Sequence, residues 1–110
     1  MNTSISEIVE CLLKETDIPP RRLAEFHSWC AGEFSFLASQ IEIVLAKKPT
    51  AWLLLRDESK SALEAERKWQ MTLDGQREGS LRRQMKVLEK IMSSLRLRLM
   101  IKEQEAKQIF

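Results

Sequence analysis

Apolar and polar positions alternate with the period of a helix along almost the whole chain. Ile5, Ile8, Val9, Leu12 and Leu13 recur at intervals of three and four behind Ser4-x-x-Glu7. That motif has the form of a capping box, in which the serine oxygen accepts an orphan N–H of the first turn. It predicts a short first helix reaching about Thr16, ended by Asp17-Ile18-Pro19-Pro20. Pro20 suits the first position of a second helix, where its missing N–H is not needed. Leu23, Phe26, Cys30, Phe34, Leu37, Ile41 and Val44 then form one stripe, the expected core face of a helix running to about Lys48. On the same helix Ser28, Gly32, Ser35 and Ser39 form a line of small residues, where another backbone is expected to approach closely.

Lys47 and Lys48 stand where cations favour a helix C-terminus, and Pro49-Thr50 is expected to break the chain. A third helix from Ala51 carries Trp52, Leu55, Ala62, Ala65, Trp69 and Leu73 on one side and mostly charged residues on the other. Its end is ambiguous, because Asp74, Gly75 and Gly79 weaken a helix without forbidding it. Either the chain turns here into an antiparallel hairpin, or one long helix continues with a shift of its apolar stripe. The rarity of long uninterrupted helices in small domains favours the turn.

From Leu81 the pattern tightens to a four-three repeat through Leu81, Met85, Leu88, Met92, Leu95, Leu99, Lys102, Ala106 and Ile109, with Lys102 the one departure. A seven-residue repeat keeps one seam facing a partner helix as the two supercoil. Val87, Ile91, Leu97, Met100 and Ile101 lie off the seam, so this helix needs more than one neighbour, either the preceding helices of its own chain or another subunit. A homo-oligomer is expected, with Leu81, Met85, Leu88, Met92, Leu95 and Leu99 at its interface. The predicted fold is therefore all-α. It is a single domain of helical hairpins with no sheet: a short helix within 1–18, an apolar helix over 20–48, a charged helix over 51–74 and a coiled-coil-like basic helix over 80–109.

Composition supports helix and adds a charge asymmetry. The chain has 110 residues with only three Gly, three Pro and no Tyr. Its net charge is +2, but residues 1–75 carry −3, residues 76–102 carry +6 and the last eight carry −1. Arg82, Lys86 and Lys90 are spaced to share a helix face, with Arg77 and Arg83 beside them and Glu89 interrupting. Such a row can track phosphates, so these five are the candidate nucleic-acid contacts; the plainer reading is a solvated helix flank.

Catalysis has no visible apparatus. His27 is a lone histidine between Phe26 and a serine that precedes Trp29, no Gly-rich phosphate loop is present, and no cofactor is called for. Cys11 and Cys30 lack metal-ligand spacing and read as buried free thiols, which fits a reducing, cytoplasmic setting. Trp29 and Trp69 read as core residues rather than stacking platforms for bases. No apolar run is long enough to cross a bilayer, and the N-terminus lacks the pattern of a signal peptide.

The run Leu88-Glu89-Lys90-Ile91-Met92-Ser93-Ser94-Leu95-Arg96 resembles the closing helix of phage recombination mediators of the UvsY type. The order of parts over residues 20 to 105 is similar too: an aromatic helix with Phe26, Trp29 and Phe34 that ends in Lys47 and Lys48, a charged helix, a glycine-containing break and a basic apolar helix. The resemblance implies a phage or prophage accessory protein of DNA recombination or replication, oligomeric and binding single-stranded DNA. Its partners would be a recombinase or a single-strand-binding protein. The residues alone also fit a different class, a non-enzymatic helical interaction module that inhibits or assembles a protein partner and has no nucleic-acid role.

Overall fold

The structure is a computed structural model that describes residues 4–15 and 17–109. Among these the fold is all-α, in the order α1 (Ile5–Lys14), α2 (Pro20–Asp57), α3 (Ala62–Met71) and α4 (Leu73–Ile109). Ser4 caps α1 as its motif predicts, its Oγ accepting the N–H of Glu7 at 3.2 Å. Thr16, the expected end of that helix, lies outside the described residues.

The breaks fall elsewhere than expected. α2 does not stop at Lys48 but runs through Pro49 to Asp57. The true interruption is Glu58 to Ser61, where Arg56 donates to the Ser59 carbonyl and Ser59 Oγ donates to the Leu55 carbonyl. Ser61-x-x-Glu64 is then a second capping box. Ser61 Oγ accepts the Glu64 N–H at 3.1 Å, and Glu64 reaches back to the Lys60 N–H at 3.0 Å. That returned N–H, more than Lys68 nearby, holds the Glu64 carboxyl below its ordinary range.

The predicted turn over 73–80 is also absent. α3 and α4 are separated by Thr72 alone, whose Oγ1 donates to the Trp69 carbonyl at 2.6 Å and accepts the Gly75 N–H at 3.0 Å. One side chain thus closes one helix and opens the next. Gly75 is a packing requirement rather than a breaker, since a Cβ there would stand 1.8 Å from the Trp69 carbonyl oxygen.

The chain divides into two compact units. Unit 2 is continuous, Ser35–Lys86, and buries Leu37, Ile41 and Val44 of α2, Ala65 and Trp69 of α3, and Leu81 of α4. Unit 1 is assembled from Met1–Phe34 and Val87–Phe110. Its core holds Ile8 and Cys11 of α1, Ile18, the α2 residues Leu23, Phe26 and Cys30, and the α4 residues Leu88, Ile91 and Leu95. Arg98 ties α4 to the end of α1 by donating to the Leu12 carbonyl at 2.8 Å. Lys102, the one polar position of the seam, pairs with Asp17. That contact holds the Asp17 carboxyl down and the Lys102 ammonium up.

The heptad seam is thereby turned into the chain's own core. Leu81, Leu88 and Leu95, expected at an oligomer interface, are buried within a single chain, and Met85, Met92 and Leu99 are half-buried. A seam of this period selects a helical neighbour. The line Ser28, Gly32, Ser35 and Ser39 is likewise exposed, and Gly32 has nothing within 4 Å of where a Cβ would stand. It is not a close-packing face.

Candidate nucleic-acid interface

The five basic residues singled out from sequence lie on α4, and their surroundings separate them. Arg77, Arg82, Arg83 and Lys86 belong to unit 2 and Lys90 to unit 1; all five are exposed. The Arg82 Nε donates to Glu78 Oε2 at 3.0 Å, and this pairing offsets its charge. Arg77 is bound differently, its Nη2 donating to the neutral amide oxygen of Gln40 on α2 at 2.9 Å. Arg83, Lys86 and Lys90 meet no carboxylate within ion-pair distance among the described residues. Four of the five therefore meet no carboxylate within ion-pair distance among the described residues, and Arg82 alone of them is paired.

Arg82 instead belongs to a polar network between α2, α3 and α4 of unit 2. Glu78, only 12% exposed, accepts from Trp69 Nε1 at 3.0 Å and from Arg82, with Lys48 Nζ 3.5 Å away. Lys48 also meets Glu66 at 3.1 Å and lies 5.5 Å from the centre of the Trp69 ring, while Glu66 accepts from Trp52 Nε1 at 3.0 Å. Burial raises the Glu78 carboxyl, but the bonds from Arg82 and Trp69 and the charge of Lys48 outweigh it and leave the group below its ordinary range. Lys48 is thus no simple helix-end cation. Trp69 is core, as its spacing suggested, but its indole N–H needs this carboxylate.

A groove of about 920 Å³ in the same unit is lined by Trp69, Gln76, Arg77, Arg83, Glu66 and Glu78 among others. Arg82 lines it too, so three arginines of α4 share this groove with two carboxylates that are already paired, Glu66 with Lys48 and Glu78 with Arg82 and Lys48.

Large apolar side chains are also exposed. In unit 1 they include Leu13 of α1 and Val87, Leu97, Met100 and Ile101 of α4; in unit 2 Phe36, Ile43, Leu53 and Leu54 of α2. Of the off-seam residues that seemed to demand further neighbours, only Ile91 is buried. Phe36, one residue removed from the predicted core stripe, had no role assigned from sequence. Its signal was that very displacement, a large aromatic out of phase with the stripe around it.

Cys11 and Cys30 are buried free thiols, raised above their ordinary range chiefly by burial. His27 has a buried Nε2 without a hydrogen-bond partner. Among the described residues no group of three or more His, Cys, Asp or Glu could hold a metal ion, and no helix is long and apolar enough to cross a membrane. Compared with protein-family models, with curated proteins and with solved structures, the chain matches none.

Proposed function

We propose that this protein is a non-enzymatic accessory factor of DNA recombination or replication, of phage or prophage type, that binds single-stranded DNA through the outer side of α4. The observation that carries this reading is that Arg83 and Lys86 of unit 2, and Lys90 of unit 1, are exposed and meet no carboxylate within ion-pair distance among the described residues, while Leu81, Leu88 and Leu95 of the same helix are buried. Cations that serve no ion pair and cover no core remain free to displace the counterions of a polyanion. The likeness of residues 88–96 to recombination mediators points the same way and names a recombinase or a single-strand-binding protein as further partners. With the seam occupied, any association of copies would use the exposed Leu97, Met100 and Ile101, and clustering copies would add weak contacts as avidity.

Anisotropy of a labelled oligodeoxythymidine at low and moderate salt tests the reading. Three phosphate contacts on a single strand predict that affinity falls about twentyfold between roughly 50 and 200 mM salt. Lys86→Glu with Lys90→Glu abolishes binding, whereas Arg82→Gln leaves it nearly intact. Absence of binding at micromolar protein in low salt would sink the proposal. The exposed Leu97, Met100 and Ile101 favour one rival, a helical module that docks a protein partner, and under it the double charge reversal leaves partner binding unchanged.

A further inference from the structure

Arg77 is the one candidate contact that reaches another helix. Its guanidinium is held by Gln40, and because the holding group is a neutral amide the positive charge is undiminished, in contrast to Arg82 on Glu78. One of five donors is engaged, so four remain for an anion. Gln40 in turn lies within a stripe of α2: Phe36 precedes it by four residues and Ile43 follows by three, spacings that put side chains beside one another on a helix. Phe36 is 57% exposed and Ile43 55% exposed, and Lys47, exposed one turn further on, adds a second cation. Between Phe36 and Thr50 the only carboxylate on α2 is Glu42, two residues from Gln40 and therefore on another side of the helix. A flat aromatic face, an adjacent apolar surface and two cations free of carboxylates are brought together within unit 2.

From this juxtaposition we infer that Phe36 is a stacking platform for a nucleobase of single-stranded DNA, with Arg77, steadied by Gln40, holding the phosphate of the same strand. The charge pattern selects the occupant. A single strand presents a π-face and a phosphate at every nucleotide, which matches an exposed aromatic ring beside a cation whose charge is left whole. Stacking on an aromatic ring is tolerant of sequence, so the site adds affinity without base preference. The inference rests on the proposal that the protein binds single-stranded DNA and assigns that strand a path from the outer side of α4 toward α2.

The test compares oligodeoxythymidine with an abasic strand of the same length, at one low salt concentration, using the full chain. The wild type binds the thymidine strand about tenfold more tightly, Phe36→Ala lowers it to the abasic level, and Phe36→Trp restores the preference. Arg77→Gln weakens both strands alike and makes the salt dependence shallower, whereas Phe36→Ala leaves the salt slope unchanged. Because Phe36 is exposed, the alanine variant keeps the wild-type melting temperature, which certifies its fold. Equal wild-type binding of the two strands, or a preference that survives Phe36→Ala, overturns the stacking assignment while DNA binding stands. If the wild type binds neither strand, the proposed function itself falls, and this inference with it.

Discussion

Replacing Glu78 by Gln asks how much of unit 2 rests on one charge. The amide keeps an oxygen for Trp69 Nε1 but removes the negative charge that Arg82 meets at 3.0 Å and Lys48 at 3.5 Å. Arg82 is mostly exposed, so solvent screens its share; the partly buried Lys48 contact and the charge-assisted indole bond are the larger losses. Together they amount to about 1–2 kcal/mol, or a melting temperature lower by roughly 4–8 °C for a chain of this size. Glu78→Ala also strands the buried indole N–H, adding about 1–3 kcal/mol. The pH dependence fixes the cause. A carboxyl held below its ordinary value of 4.5 contributes stability that is present above that pH and disappears as pH falls through the lowered folded value. In thermal melts followed by circular dichroism, the gap between wild type and Glu78→Gln is therefore full at pH 7 and closes below about pH 4.5. A gap that stays constant down to pH 3, or a Gln variant as unstable as the Ala variant, would refute this account of the network.

Three further outcomes follow from the same packing. Gly75→Ala drives a methyl into the Trp69 carbonyl at 1.8 Å and destabilises by more than about 2 kcal/mol, while Gly32→Ala, in open space inside α2, stabilises by about 0.5–1 kcal/mol; paired denaturant melts read the opposite signs. Ser61→Ala removes the cap of α3 and lowers stability by about 1 kcal/mol in the same assay. Leu88→Ala and Leu95→Ala each cost about 2–5 kcal/mol, and light scattering shows the same mass before and after either change, since these side chains fill the monomer core.

Helical class and core were legible because they rest on period alone. Leu23, Phe26, Cys30, Leu37, Ile41 and Val44 are buried as one stripe, and Leu81, Leu88 and Leu95 as another. The breaks were not legible, for a specific reason: Pro and Gly were read as punctuation, although tertiary contacts decide whether they act so. Pro49 forfeits one hydrogen bond and strains α2, about 3 kcal/mol in an isolated helix, yet Ile41 and Val44 before it and Trp52 after it are anchored. Gly75 is present because α3 passes against it. The better signal, Ser61-x-x-Glu64, repeated the motif already recognised at Ser4 and lay hidden in a charged stretch. Among the basic residues, the i,i+4 spacing of Glu78 and Arg82 was a readable sign of a pair within α4, whereas the Gln40 partner of Arg77 is fixed only when α2 and α4 meet within unit 2.

Unit 1 is built from two segments with the whole of unit 2 lying between them in sequence. During synthesis at about 5–20 residues per second, residues 20–34 emerge several seconds before the segment from Val87 onward that they are to pack with. Ser35–Lys86, by contrast, leaves the ribosome as an unbroken piece that already holds its own core. Vectorial synthesis thus favours unit 2 as the first to condense, and the apolar stripe of Leu23, Phe26 and Cys30 stays uncovered in the nascent chain until the Val87 end of α4 is made. A chain stalled near Lys86 presents that stripe to chaperones and proteases.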